Sequence, residues 1–221
     1  MNLFSIFDPS TSMNFSFNWI SMIYVILLIP SMYWLVPSRW NFFLVYFLQT
    51  LISEFSLLLT IKNNLFNMLI FMSLFMMIFF NNFMGMFCYI FVASSHLAFS
   101  LSLSLTLWLS FMLFGWIKNS NHMFIHLVPQ GTPDALAMFM VLIETVSNLM
   151  RFGSLAVRLS ANMVAGHLLM SLLSSMTSQG FLATIFVVLS QCILLGLELS
   201  VTLIQAYVFT VLIILYSNDS V

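Results

Sequence analysis

The sequence contains very little charge. It has five Lys or Arg and six Asp or Glu among 221 residues, so 5% of the chain is charged, against about 25% in an ordinary soluble domain. Apolar residues make up 62% and the mean hydropathy is +1.10. This composition excludes a soluble enzyme and a disordered protein, and the lack of a basic surface excludes a nucleic-acid binder. It predicts an integral membrane protein.

Cysteine and sequence motifs for catalysis are also scarce. Cys88 and Cys192 both lie in apolar runs and indicate neither a disulfide framework nor a metal site. No P-loop or other nucleotide motif is present. Residues 1–18 show no basic leader or Arg-rich presequence, so we expect either that the first helix acts as the signal or that the chain is made where it is used. The 25 Phe and 18 Met are typical of an AT-rich mitochondrial genome.

Three apolar runs are predicted to cross the membrane, at about 19–36, 65–91 and 97–117. Pro30 lies inside the first run and is expected to kink it. No basic residue lies in the short connection between the second and third runs.

The stretch 40–61 has two interpretations. Its hydropathy allows another span, but its polar residues recur at a spacing of three to four, which is typical of an amphipathic helix lying in the interface. A flat helix places Arg39, Lys62 and Lys118 on one side of the membrane, as the positive-inside rule prefers. We therefore favour the interfacial helix, and expect the N-terminus on the side opposite these three residues.

The last third of the chain predicts a long helical hairpin. Thr132, Pro133 and Asp134 have the order of an N-cap, a first-turn proline and a first-turn acid, and residues 119–132 before them read as a loop. A helix over 134–178 is ~67 Å long at 1.5 Å per residue, whereas the hydrocarbon core is about 30 Å thick. The following helix, 181–216, is also too long for an upright span, so both helices are expected to tilt.

Polar residues mark one face of each helix of this hairpin. On the first helix they recur at spacings of three, four and seven, and on the second at four and three. The residues are Glu144, Asn148, Arg151, Arg158 and Asn162, followed by Glu198, Thr202 and Gln205.

The hairpin also predicts the depth of each polar residue. In an antiparallel pair, residues whose numbers add to nearly the same sum lie at the same depth. By this rule Arg158 lies level with Gln205 near the middle, and His167 lies level with Glu198 toward the turn. Glu144 lies level with Asp219 at the end near Lys118.

A charge inside the membrane is costly, about 2.5–3.5 kcal/mol for a central Arg on the insertion scale, so Arg158 needs a partner. Glu144 is ~21 Å away along the helix, and we infer a carboxylate supplied by another subunit. The ionisable groups at the other two levels predict two separate proton paths, one open to each side.

Some of these residues have plainer interpretations. Glu144 and Arg151 fit a structural ion pair, and Gln205 fits a bond to a neighbouring helix. A histidine such as His167 is often only packed. His122 and His126 share a helical spacing, but two histidines without a third ligand are usually solvated, and we predict no metal or cofactor.

Four segments resemble subunit a of rotary, proton-translocating ATP synthases. The most specific is Leu155–Leu169, with Arg158, Asn162, Gly166 and His167 in the sequence LAVRLSANMVAGHLL. The others, HLVPQGTP over 126–133, Ile143-Glu144-Thr145 and LIQAYVF over 203–209, are similar to the mitochondrial form. The N-terminal MNLFSIFDPS is similar to arthropod versions. The resemblance covers the whole chain.

The resemblance implies an all-α stator subunit of the mitochondrial inner membrane that does no ATP chemistry itself. Its partners would be a rotor ring of c subunits, each with a membrane carboxylate, and the other membrane-sector and peripheral-stalk subunits. Protons would enter past Asn162, His167 and Glu198 and leave past Glu144 and Asp219. Arg158, with Gln205, would separate the two half-channels, so that proton flow turns the ring.

Two other classes remain as alternatives. A secondary transporter usually shows an internal repeat, and none is visible. A structural subunit of a respiratory complex would not need Arg158, Glu198 and Glu144 at three depths.

Overall fold

The computed structural model describes residues 3–12, 15–30, 33–59, 65–87, 90–128 and 134–219, and these segments are helical or irregular. The α-helices are α1 (Ser21–Leu28), α2 (Arg39–Leu58), α3 (Leu65–Gly85), α4 (Leu97–Lys118), α5 (Ser120–Leu127), α6 (Asp134–Ser175) and α7 (Phe181–Asp219). Short 3-10 helices cover Leu3–Phe7, Phe17–Ile20, Ala93–Ser95 and Met176–Gln179.

Five helices of the described segments have the length and composition of membrane spans. They are Arg39–Leu58, Asn67–Gly85, Leu97–Lys118, Leu136–Ser175 and Thr184–Asn218. The all-helical fold class is therefore confirmed. The set includes α2, so length and hydropathy do not separate a flat α2 from a spanning one.

The first helix is shorter than the sequence predicts. It ends at Leu28 instead of continuing to about residue 36, and Ile29 is extended, with φ −79° and ψ 111°. The reason is Pro30, whose ring disfavours the helical conformation of the residue before it. The proline therefore ends the helix where we expected a kink. A new helix starts after Pro37, where the Ser38 hydroxyl accepts a hydrogen bond from the Asn41 N–H at 3.3 Å.

The region after Lys118 also differs from the prediction. Residues 120–127, expected as part of a loop, form α5. This helix packs on α4, where the rings of Trp116 and Phe124 meet at right angles with centroids 4.9 Å apart. The predicted helix start at Thr132 and Pro133, and the basic residue Lys62, lie outside the described residues.

Aromatic and aliphatic side chains hold the bundle together. The main core joins α2, α3 and α7 and contains the fully buried Phe55, Phe75 and Phe209. Ring contacts join the other helices to this core: Phe71 of α3 meets Phe111 of α4 at 6.2 Å, and Trp108 of α4 meets Phe152 of α6 at 5.0 Å.

The two long helices α6 and α7, of 42 and 39 residues, follow one another at the end of the chain, close to the predicted ranges 134–178 and 181–216. A single 3-10 turn and Gly180 connect them. Gly180 has φ +135°, a conformation that L side chains rarely adopt, so the reversal depends on glycine. At 1.5 Å per residue α6 is ~63 Å long, about twice the thickness of a hydrocarbon core.

Candidate functional site

The polar faces of α6 and α7 meet near the middle of the hairpin. Asn162 donates its side-chain N–H to the Gln205 Oε1 at 3.3 Å, and Gln205 is 5% exposed. The depth rule placed Arg158 level with Gln205, and the Gln205 side chain bonds Asn162, one helical turn closer to the hairpin turn. Glu198 lies against Gly166, within one residue of the position that the rule gives, so the side chains and not a shift of the helices account for this bond.

A cavity of about 190 Å³ lies between α6 and α7 on the side of the hairpin turn. We call it the turn-side cavity. Its polar lining residues are Asn162, His167, Glu198 and Thr202, and Met86, just after α3, closes one side. The structure therefore brings together His167 and Glu198, which were expected at this level, with Asn162, which the resemblance placed beside them. The volume is large enough for several water molecules.

Gly166 sets the position of the Glu198 side chain. A Cβ built on Gly166 overlaps the Glu198 Oε1 and lies 3.0 Å from its Cδ. The carboxylate therefore lies directly against the α6 backbone, one residue before His167. The sequence analysis did not assign this role to Gly166, although a glycine inside a helix is itself a signal of close approach.

The N-terminal segment reaches the same end of the hairpin. The Phe7 ring meets the His167 ring edge-on, with centroids 6.4 Å apart. The backbone N–H and the hydroxyl of Ser10 both donate to the Asp8 carboxylate, at 3.1 and 2.8 Å, and these hydrogen bonds lower the pKa of Asp8. A fixed negative charge thus follows directly after the residue that covers His167.

A second cavity, of about 170 Å³, lies at the opposite end of the hairpin, near Lys118. We call it the basic-side cavity. Helices α4, α5, α6 and α7 all contribute to it, and its polar lining includes His126, Glu144, Asn148 and Arg151. The Arg151 Nη2 lies 3.6 Å from the Glu144 Oε1, and its guanidinium lies 5.7 Å from the centroid of the Tyr216 ring. The ion pair proposed for Glu144 and Arg151 is therefore present.

An apolar layer lies between the two cavities, which have no lining residue in common. On α6 it consists of Leu155, Ala156 and Leu159, which are at most 2% exposed, and on α7 of Ala206 and Phe209, which are fully buried. Packed interiors of this kind leave few voids the size of a water molecule. The two buried hydroxyls at this height, those of Ser160 and Thr210, donate to carbonyl groups of their own helices, so the layer is otherwise apolar.

Arg158 lies at the height of this layer but on the outer surface of α6, where it is exposed. Among the residues whose side chains are described, no carboxylate lies within 4 Å of its guanidinium. Ser154, Ala161 and Ala165, which are also exposed, lie along the same side of α6. Small residues let a neighbouring helix approach closely.

The remaining predicted residues lie apart from the two cavities or are only partly described. Asp219 belongs to α7, but the placement of its side chain lies outside the described part of the structure. His122 contacts His126 at a ring distance of 4.5 Å. No group of three metal-binding side chains occurs among the residues searched. His96 packs on Trp19 and Phe91 at 5.2 Å from each ring.

These features define a class: a multi-pass helical membrane protein whose long helices carry ionisable groups at several depths, as ion-translocating proteins do. The family model described as "ATP synthase A chain" matches residues 15–218. The chain is 55% identical over 219 residues to "ATP synthase subunit a" of Drosophila yakuba, which covers 99% of this chain and 98% of the relative. It is 54% identical to the Locusta migratoria protein and 52% identical to the Aedes aegypti protein of the same name, with the same coverage.

The chain belongs to the ATP synthase A chain family. It is thus a proton-translocating subunit of the membrane sector, not the catalytic subunit.

Proposed function

We propose that the chain is the stator subunit that forms two offset proton half-channels against the rotor ring of a mitochondrial ATP synthase. Proton flow from the intermembrane space to the matrix turns the ring and drives ATP synthesis elsewhere in the complex. The observation that carries this proposal is the pair of separate cavities, with Arg158 exposed at the height of the apolar layer between them.

The turn-side cavity is the inlet. His167 and Glu198 line it and are both partly buried, and Asn162 lies at its inner end next to Gln205. A proton from the intermembrane space passes these groups and protonates a carboxylate of the ring. Each group exchanges protons or hydrogen bonds with water in the cavity, so no charge has to cross an apolar region.

Arg158 separates the two half-channels. Burial in lipid raises the pKa of a carboxylate, and a nearby positive charge lowers it. A ring carboxylate is therefore protonated while it faces lipid and ionised when it faces Arg158. Because Arg158 has no described acidic partner within its own chain, it is available to the ring. Its fixed positive charge also repels a proton that would pass directly from inlet to outlet.

The basic-side cavity is the outlet. Glu144 accepts the proton released by the ring near Arg158 and passes it toward the matrix, and Asp219 at the end of α7 is proposed to act with it. The ion pair with Arg151 holds the Glu144 carboxylate at the cavity wall. The transmembrane potential supplies about 2.3 kcal/mol per charge for each 100 mV.

We also propose that α2 lies flat on the matrix side instead of spanning the membrane. Phe47 and Phe55, two turns apart on α2, both contact the ring of Phe75, at 6.0 and 6.5 Å. These contacts fix one face of α2 on α3, and the flat orientation is proposed from the positive-inside rule. In this arrangement Arg39 and Lys118 share the matrix side, the N-terminus lies in the intermembrane space and the C-terminus points to the matrix.

The partners follow from this arrangement. They are the rotor ring of c subunits with its membrane carboxylates, the other membrane-sector and peripheral-stalk subunits, and the lipid bilayer. A nucleic-acid partner is not expected, because the chain has only five basic residues and lacks a basic surface.

Side-specific labelling of single cysteines tests this function. In a complex with Cys88→Ser and Cys192→Ser, Thr202→Cys places a thiol in the turn-side cavity and Asn148→Cys places one in the basic-side cavity. Thr210→Cys is the control, because Thr210 is fully buried on α7 and lines neither cavity. We expect a membrane-impermeant thiol reagent to reach Thr202→Cys only from the intermembrane side, Asn148→Cys only from the matrix side, and Thr210→Cys from neither. Labelling of one cavity from both sides would contradict two half-channels.

A further inference from the structure

His126 lies on the wall of the basic-side cavity, although the sequence predicted it in a loop. Helix α5 brings it there by packing on α4 through Phe124 and Trp116. His126 and Glu144, from different helices, line the same cavity. His126 is also exposed, so it lines the cavity and remains accessible from outside it.

His122 lies one turn earlier on α5. Its ring contacts that of His126 at 4.5 Å but does not line the cavity. The two histidines therefore share a helix, a side-chain type and exposure, and differ in access to the cavity.

The other ionisable groups around the cavity are less suited to exchanging protons with the solution. Arg151 of α6 is always charged and pairs with Glu144, and the ring of Tyr216 of α7 lies against the Arg151 guanidinium. Lys118, at the end of α4, places its Nζ over the Phe114 ring. Histidine is the side chain that ordinarily gains and loses a proton near neutral pH.

A proton-accepting group at this position would raise the rate at which protons enter the cavity from the basic side. When the enzyme hydrolyses ATP, the ring takes its protons from the basic side. At about 10 nM free protons, even a capture constant near 10¹⁰ M⁻¹ s⁻¹ supplies only about 100 protons per second. Buffer molecules carry protons at a far higher concentration, and a histidine at the cavity mouth can exchange with them directly.

We propose that His126 is the outer proton-exchange group of the basic-side cavity, passing protons between buffer in the matrix and Glu144. The transfer is balanced: the protonated imidazole gives a proton through water to the Glu144 carboxylate, and the neutral imidazole then takes one from a buffer acid. In ATP synthesis the same steps run in reverse. This inference rests on the proposed outlet function of Glu144.

The test compares His126→Gln with His122→Gln in purified ATP synthase reconstituted in vesicles with the basic side outward. ATP-driven proton pumping is measured in weakly buffered medium and after addition of imidazole. For His126→Gln we expect a several-fold slower rate in weak buffer and recovery with imidazole, because the free base replaces the lost side chain. His122→Gln should stay close to the parent enzyme in both media.

Three results would overturn the inference: His126→Gln pumps at the parent rate in weak buffer, its defect is not relieved by imidazole, or His122→Gln shows an equal defect. Glu144→Gln, measured in parallel, separates this inference from the proposed function. If Glu144→Gln is impaired while His126→Gln is normal, only the role of His126 is wrong. If Glu144→Gln also pumps normally, the outlet itself is wrong.

Discussion

The Glu198 carboxylate lies against the backbone of Gly166, so closely that a methyl group on Gly166 would overlap its Oε1. The two residues lie on different helices of the hairpin and line the same cavity. Glu198 therefore keeps its position only while residue 166 has no side chain.

Gly166→Ala should therefore impair proton translocation without weakening the fold. Alanine in a helix is about 1 kcal/mol more favourable than glycine, but its methyl group displaces the Glu198 side chain. We expect coupled ATP synthesis to fall by about 10²-fold, the lower end of the contribution of a positioned proton-transfer group. The measurement is ATP synthesis in vesicles under an imposed proton gradient.

Gly153→Ala is the control for this substitution. It lies on the same helix, and its added Cβ meets nothing within 4 Å. It should assemble and work like the parent enzyme. Equal activity of Gly166→Ala and Gly153→Ala would show that the position of Glu198 does not matter for proton entry.

A double-mutant cycle on Glu144 and Arg151 separates the two interpretations of this ion pair. Glu144→Gln removes the carboxylate that lies 3.6 Å from Arg151, and a partly exposed pair such as this contributes roughly 0–1 kcal/mol to stability. If Glu144 carries protons, Glu144→Gln and the double variant Glu144→Gln/Arg151→Gln should both show low pumping. Arg151→Gln alone should keep most of its activity.

The opposite pattern would support a purely structural pair. In that case removing both charges together would preserve the local charge balance, and the double variant would recover the activity that Glu144→Gln had lost. Proton pumping by the reconstituted complex distinguishes the two outcomes.

The apolar layer between the cavities should act as a seal. Leu159→Ala removes part of that layer and should raise passive proton leak when the ring is cross-linked to the stator. Ile78→Ala is a matched control, since Ile78 is equally buried at 1% but belongs to α3. Each change costs about 2–5 kcal/mol of stability. A higher proton leak in Leu159→Ala than in Ile78→Ala would therefore be due to the loss of the apolar layer and not to lower stability. Equal proton leak in both variants would show that the barrier to protons between the cavities is not this layer.

Much of the architecture could be predicted because it depends on long, regular signals. The length of α6 and α7 and the reversal near residue 180 follow from an apolar pattern without proline. The grouping of His167 with Glu198 follows from the antiparallel geometry of that hairpin, which holds within about one turn.

Other features could not be predicted from the spacing of apolar residues. They depend on the backbone conformation of single residues or on how side chains from different helices pack. Whether Pro30 kinks or ends a helix depends on the conformation of Ile29 alone, and α5 is only eight residues long. The hydrogen bond between Asn162 and Gln205 depends on the conformations of two side chains. Which residues line a cavity depends on side chains from several helices, so the positions of Gly166 and His126 became visible only in the folded chain.

The most direct test of the account is Arg158→Gln in the reconstituted complex, with ATP-driven pumping and passive leak measured on the same vesicles. If Arg158 separates the half-channels, the complex assembles, pumping is lost, and protons leak under an imposed gradient without turning the ring. Normal coupled pumping by Arg158→Gln would contradict the account, and the barrier would then have to be sought at Arg151 or Gln205.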